Sequence, residues 1–269
     1  MRKIAFIGVG NMANAIIGGL LRSGAVDHPH LILSDKFPEK CNTYTAQGAT
    51  FATTPTEAAQ VADCVVLAVK PQNFPEVLTD LGKVAGIENK LIVTIAAGIT
   101  SETVRNALHG APVVRVLPNT PMLIGMGVSV ICRADDVPPT DFAFVTAMFE
   151  ASGSVTIIDE TEMNRIISVT SSSPAYVFAF IDAICKGATA QGLDGDALLP
   201  AVCDMVIGSA TLLRDGGITP TEQISRVTSK GGTTERAMAV LSKRDMADMV
   251  KEAMQACTDR ADELTKVNE

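Results

Sequence analysis

Apolar residues follow two patterns along the chain, and the change comes near Ile158. Before it, short runs of Val, Ile and Leu recur at residues 4–7, 31–34, 64–69, 91–95, 113–117, 128–132 and 155–158. These runs are apolar on both alternating faces, which predicts strands buried on both sides, as in a parallel sheet. Between them, spacing and caps predict helices over 11–22, 38–47, 56–62, 73–85 and 101–108. In the first helix Met12, Ile16 and Leu20 join Ala13, Ile17 and Leu21 in one wide apolar face, and Gly24 ends it. A β-α-β-α order of this kind predicts an α/β fold: a doubly wound parallel sheet of Rossmann type with helices on both faces.

Beyond Ile158 the strand-like runs stop. Residues 160–170, 174–191, 196–214, 220–227, 233–241 and 246–267 all read as helices rich in Ala and Met. The expected organisation is therefore a dinucleotide-binding domain over 1–159 and an all-helical domain over 160–269. Ala175-Tyr176-Val177-Phe178-Ala179-Phe180-Ile181 presents apolar groups all round its helix, which calls for burial on every side. A second subunit would supply that burial; so would a central position within the helical domain itself.

The first strand runs through Ile7 into Gly8-Val9-Gly10-Asn11-Met12-Ala13, a G-x-G-x-x-A turn that opens a helix. Gly8 permits the tight turn, and Gly10 lets a pyrophosphate reach backbone. Ala13 keeps helix and strand close, and the helix N-terminus faces the phosphate charge. The alternative is a glycine turn that holds no ligand. The second strand ends in Ser34-Asp35-Lys36. Asp35 stands where an acid for a ribose hydroxyl is expected, which favours NADH, whereas Lys36 suits the 2′-phosphate of NADPH. Three more loops follow strand ends on the same expected edge: Ala68-Val69-Lys70-Pro71-Gln72, Ala96-Ala97-Gly98 and Leu117-Pro118-Asn119-Thr120-Pro121. Small residues in the first two allow a flat ring or ribose to approach, and two prolines hold Asn119 as a positioning amide.

Composition narrows the ligands. Of 269 residues, 47% are hydrophobic and 19% charged, which suits a folded core and excludes a disordered chain. A formal net charge of −8 and the lack of a Lys/Arg run of even four residues argue against nucleic acid, so an anion site must be local. The apolar start is too short and too interrupted for a signal peptide, and the stretch 175–181 is far short of a membrane span. With six scattered cysteines and no C-x-x-C, reduced thiols in a cytoplasm are expected. His28-Pro29-His30 has no third ligand nearby, so no metal site is expected.

These motifs occur in a particular order. The glycine turn, Ala68-Val69-Lys70-Pro71-Gln72, Ala96-Ala97-Gly98 and Pro118-Asn119-Thr120-Pro121 are followed by Ser173-Pro174-Ala175-Tyr176 and Thr228-Ser229-Lys230-Gly231-Gly232-Thr233-Thr234. Together they resemble the pyrroline-5-carboxylate reductase family over nearly the whole chain, the last motif being the most specific. The resemblance implies a Rossmann domain followed by a helical dimerisation and substrate-binding domain. It further implies NAD(P)H-dependent reduction of 1-pyrroline-5-carboxylate to proline, NADPH as the cofactor with NADH as the alternative, and a homodimer that builds larger rings. One departure is local: where the family usually reads Ser-Gly-Ser-Gly, this chain has Thr170-Ser171-Ser172-Ser173.

The substrate so implied is a small cyclic imine bearing a carboxylate, and its reduction needs neither a metal nor a covalent nucleophile. Glycines at a helix start leave backbone N–H groups bare. The N–H groups of Gly232, Thr233 and Thr234 are expected to hold the carboxylate, with Ser229 and Gly231 in the same loop. The resemblance also implies Thr234 as the hydroxyl facing the ring nitrogen. A related two-domain dehydrogenase with another substrate, and a dinucleotide sensor without turnover, are the other readings.

Overall fold

The computed structural model describes residues 1–268; Glu269, the last residue of the expected helical domain, lies outside them. Its first part runs β1 (Ile4–Ile7), α1 (Asn11–Ser23), β2 (Leu31–Ser34), α2 (Asn42–Thr45), β3 (Thr50–Phe51), α3 (Pro55–Val61), β4 (Cys64–Leu67), α4 (Phe74–Leu81), β5 (Leu91–Thr94), α5 (Ser101–Ala107), β6 (Val113–Leu117), β7 (Gly127–Cys132), α6 (Pro139–Glu150) and β8 (Gly153–Ile158). Helices follow: α7 (Met163–Ile166), α8 (Ser173–Ala190), α9 (Leu199–Gly216), α10 (Pro220–Val227), α11 (Thr233–Lys243) and α12 (Met246–Asn268).

The strands form one sheet in the order β3-β2-β1-β4-β5-β6-β7-β8. The order reverses beside β1, which makes its carboxyl end the switch point where doubly wound sheets bind ligands. β3 through β6 pair in parallel, as expected. β7 departs from that expectation and runs antiparallel to β6, with Val116 opposite Ile131. A parallel return needs a crossover of a dozen or more residues, and the connection 118–126 is too short for one. β8, parallel to β7, closes the sheet as a half-exposed edge rather than a strand buried on both faces.

Alternation along the strands divides the core. Ile4, Phe6, Leu31 and Leu33 face α1 and α6 with Ile16, Leu20 and Phe149, while Ala5, Ile7, Val65 and Leu67 face α3, α4 and α5 with Phe74, Leu81 and Val104. A third cluster joins Leu117, Val130 and Cys132 to Met163, Ile167 and Ala261. This cluster accounts for where the chain divides. One compact unit comprises Met1–Pro174 with the last turns of α12 from Ala256, and the other is Ala175–Gln255. Residues 160–174 thus stay with the sheet, whereas the expected division was at 159/160. They also form no uniform helix: a 3-10 turn (Glu160–Glu162), α7 and a π turn (Ile167–Ser171) replace the helix expected over 160–170.

Within Ala175–Gln255 the helices bury little. No residue of α8, α9, α10 or α11 is fully buried. Phe178 is 61% exposed, Ile207 57% and Val240 61%. A single copy of this unit has no core of its own. The stretch Glu160–Ala190 is long and apolar enough to cross a membrane by length and composition alone, a test that the core helix of a soluble protein also passes.

Candidate functional site

The turn from β1 to α1 sits between the ends of β2 and β4. The Gly8 N–H donates to the Ser34 carbonyl at 2.7 Å, and the Ala68 N–H donates to the Ile7 carbonyl at 2.8 Å. Gly8 has φ +94°, and a Cβ there would lie 2.8 Å from the Ala68 carbonyl oxygen. Conformation and space both require glycine. Gly10 caps α1 without any side-chain bond to the helix amides, and a Cβ on it would meet nothing within 4 Å. The first turn of α1, with Asn11 and Met12, therefore offers bare N–H groups beside open space, which fits a pyrophosphate. Ala13, at 1% exposure, packs into the core as the third small position.

Beside this turn lies a cavity of about 480 Å³ lined by Ile7, Gly8, Gly10, Ser34, Asp35, Lys36, Ala68, Val69 and Lys70, all expected from sequence. Phe37, Lys40, Thr53, Glu76 and Asp80 also line it and were not expected. Phe37 and Lys40 follow β2 and Thr53 follows β3, while Glu76 and Asp80 come from α4, whose placement beside the turn no local pattern announces. An open hollow of similar size, about 520 Å³, lies between α4 and α5. It has no glycine turn or bare helix start, and the His109 ring in it is bonded to the Gly82 carbonyl, so the switch-point cavity carries the functional argument.

Asp35 is more committed than its position suggested. Its carboxylate accepts from the Val9 N–H at 2.7 Å, the Phe37 N–H at 2.9 Å and Lys40 Nζ at 3.2 Å. Only 8% of its side chain is exposed. The acid pins the end of β2 to the glycine turn. Lys36 instead reaches Glu76 on α4, Nζ to Oε2 at 2.9 Å, with both side chains open to solvent.

The other expected cofactor loops have structural duties. Ala96 is buried and Ala97 packs on the third cluster. Gly98 has φ +72° and a Cβ there would lie 2.5 Å from Leu264 Cβ, so the small residues admit the end of α12. Pro71 opens a 3-10 turn, Pro71–Asn73, that leads into α4. Asn119 is 6% exposed; its Nδ2 donates to the Thr170 carbonyl at 3.0 Å, and its Oδ1 accepts from the Val128 N–H at 2.8 Å. It clamps the β6–β7 connection to the π turn. Ala96, Ala97, Pro71 and Asn119 are not among the residues lining the cavity.

In the second unit, the 228–234 loop enters α11 at Gly232, which caps it with no side-chain bond to the first amides. Gly231 takes φ +77°, and a Cβ on Gly232 would lie 2.6 Å from Ser229 Oγ. The Gly232 N–H donates to the Ser229 carbonyl at 2.9 Å. That bond occupies the Gly232 amide within the loop, where the sequence had offered it to a carboxylate. The Gly231 N–H donates to Glu235 Oε2 at 2.9 Å. The amides left at the helix start are those of Thr233, Thr234 and Glu235. The Thr234 side chain is half-buried.

The six cysteines are unpaired. Burial pushes the Cys64 thiol up to about 12, and burial with the Glu160 carboxylate does the same for Cys132, so neither is a ready nucleophile.

Residues 160–264 match the family described as pyrroline-5-carboxylate reductase dimerisation, and residues 3–98 match the one described as coenzyme F420-dependent NADP oxidoreductase. The chain is 35% identical over 267 residues to the pyrroline-5-carboxylate reductase of Escherichia coli strain K12, with 98% of this chain and 99% of that protein covered. A solved pyrroline-5-carboxylate reductase from Coxiella burnetii superposes with a TM-score of 0.87 at 28% identity over 98% of each chain. A Plasmodium falciparum pyrroline carboxylate reductase with NADP bound superposes at 0.90 with 24% identity, again over 98% of each chain, a likeness of fold.

Proposed function

The chain belongs to the pyrroline-5-carboxylate reductase family, and from that premise we propose how its residues divide the work of reducing 1-pyrroline-5-carboxylate to proline with a nicotinamide cofactor. The observation that carries the reading is the glycine turn at the switch point, where an uncapped helix start faces an open cavity. The bound cofactor supplies the hydride. The chain anchors its pyrophosphate on the amides of the first turn of α1 and leaves room for it at Gly10.

NADPH is the preferred cofactor. Asp35 is already bonded by two backbone amides and a lysine, so a ribose 2′-hydroxyl would have to displace a partner to use it. Lys36 and Lys40 beside it suit a 2′-phosphate. Lys36→Ala is expected to weaken NADP⁺ binding about tenfold, the scale of one hydrogen bond to a charged group, and NAD⁺ binding far less. Titration calorimetry with both nucleotides checks this; equal losses would remove Lys36 from the phosphate site.

The substrate carboxylate is held by the Thr233 and Thr234 N–H groups with the helix dipole behind them, in a loop shaped by Ser229, Gly231 and Gly232. This is the local anion site that a chain of net charge −8 requires. The Thr234 hydroxyl meets the ring nitrogen. A threonine is a poor free acid, so it orients the imine or relays a proton rather than acting as a strong general acid.

The working protein is a cytoplasmic homodimer, able to build larger rings, with no nucleic-acid or membrane partner. The support is the exposed apolar surface of α8 to α11, which a second copy would bury. Light scattering is expected to give at least a dimer mass. Phe178→Glu, which puts a charge on that surface, is expected to yield monomers that lack activity. An active monomer, wild-type or variant, would overturn the dimer.

A further inference from the structure

We propose that Glu76 is a cofactor-selectivity residue: its carboxylate holds Lys36 and competes for it with the 2′-phosphate of NADPH. The proposal rests on the reading that the switch-point cavity takes the adenosine end of a dinucleotide.

Six charged side chains line that cavity, the acids Asp35, Glu76 and Asp80 and the lysines Lys36, Lys40 and Lys70. Their formal charges cancel, and two of the three lysines, Lys36 and Lys40, are paired with acids that line the same cavity, so a phosphate at either must open that pair. The pairs differ in how they can open. Lys40 leans on Asp35, whose carboxylate is nearly buried and tied by the Val9 and Phe37 amides. Asp80 accepts from Lys83 Nζ at 2.8 Å, just past the end of its own helix and outside the cavity lining. Lys36 and Glu76 come from the end of β2 and the first turn of α4, so their bridge runs across the cavity. Their side chains are 64% and 65% exposed, and their separation is 2.9 Å. An exposed pair of this kind contributes little to stability and is readily exchanged. A phosphate carries more charge than a carboxylate and offers three acceptor oxygens, so it displaces Glu76 from Lys36 at a small cost. NADH has no group there and leaves the bridge closed. Glu76 therefore lowers NADPH affinity and leaves that for NADH unchanged, which narrows the selectivity that Lys36 provides.

The test is titration calorimetry of the intact protein with NADP⁺, NAD⁺, adenosine 2′,5′-bisphosphate and AMP. Glu76→Gln keeps the side-chain shape and removes the charge. It is expected to tighten NADP⁺ and adenosine 2′,5′-bisphosphate about two- to fivefold, the scale of one exposed ion pair, with NAD⁺ and AMP unchanged. The gain should vanish in the Lys36→Ala background. Asp80→Asn removes the same charge from the cavity without touching Lys36, and should give a smaller gain. A gain that persists without Lys36, or that Asp80→Asn matches, would mean general repulsion and overturn the competition. If Lys36→Ala is selective for NADP⁺ while Glu76→Gln changes nothing, Glu76 has no such role and the adenosine placement stands. If Lys36→Ala weakens all four ligands equally, the placement itself fails.

Discussion

Thr234→Val should lower turnover by about 10- to 1,000-fold, equivalent to about 1.4–4 kcal/mol of barrier, with little change in melting temperature or cofactor affinity. Valine nearly matches threonine in volume, and the Thr234 backbone amide survives the change. What is lost is the hydroxyl proposed to meet the ring nitrogen. A loss confined to kcat, with the substrate KM little moved, separates that role from carboxylate anchoring, because the anchoring amides remain. Full activity in the variant, or loss only through unfolding, would leave Thr234 as a helix-start residue with no part in the chemistry.

The largest effect on stability is expected at Glu160. Arg115 on β6 has 1% of its side chain exposed, and its Nη1 meets Glu160 Oε1 at 2.7 Å. Its Nη2 donates to Asn164 Oδ1 at 2.9 Å, and Asn164 Nδ2 donates to Asp262 near the end of α12. Glu160 also accepts from Ser101 Oγ at 2.6 Å and from the Cys132 thiol. Glu160→Ala strands a guanidinium whose Nε already has no partner among the described residues. The cost should be about 3 kcal/mol, the low end for breaking a buried pair, since 33% of the Glu160 side chain is exposed. Burial acts to raise the Glu160 carboxyl, but hydrogen bonds from Ser101, Arg115 and Cys132, with the charge of Arg115, bring it below its ordinary value. A depressed carboxyl stabilises the fold fully above its ordinary value of 4.5 and progressively less as pH falls through the folded-state value. The gap between wild type and Glu160→Ala should thus be widest near neutrality and close in acid. Urea unfolding at fixed protein concentration measures it; a gap independent of pH would mean the carboxylate is not what holds Arg115.

What could be read in advance was local. The runs 4–7, 31–34 and 113–117 became strands with those bounds, because apolar runs between turn residues specify buried strands. The glycine turn was equally legible, since its demands come from a few consecutive residues. Non-local features stayed hidden. β3 has only two residues, too few for a pattern, and α6 opens on Pro139, after Pro138, with apolar groups spread round it. The direction of β7 depends on connection length, not on its own composition. Asp35 looked like a free ribose ligand because its bond to Val9 spans two strand ends, and Glu76 and Asp80 reach the cavity only through the tertiary placement of α4. The 228–234 loop was correctly seen as a bare helix start, but its internal hydrogen bond, which removes the Gly232 amide, depends on a turn conformation that sequence does not specify.

The central claim is the reaction itself, and it is read directly from the absorbance of NADPH on adding 1-pyrroline-5-carboxylate to the purified protein. The account predicts a decay that depends on both the imine and the enzyme, with proline accumulating in step with the NADPH consumed. Folded protein that binds NADPH yet leaves its absorbance flat with the imine present would contradict it.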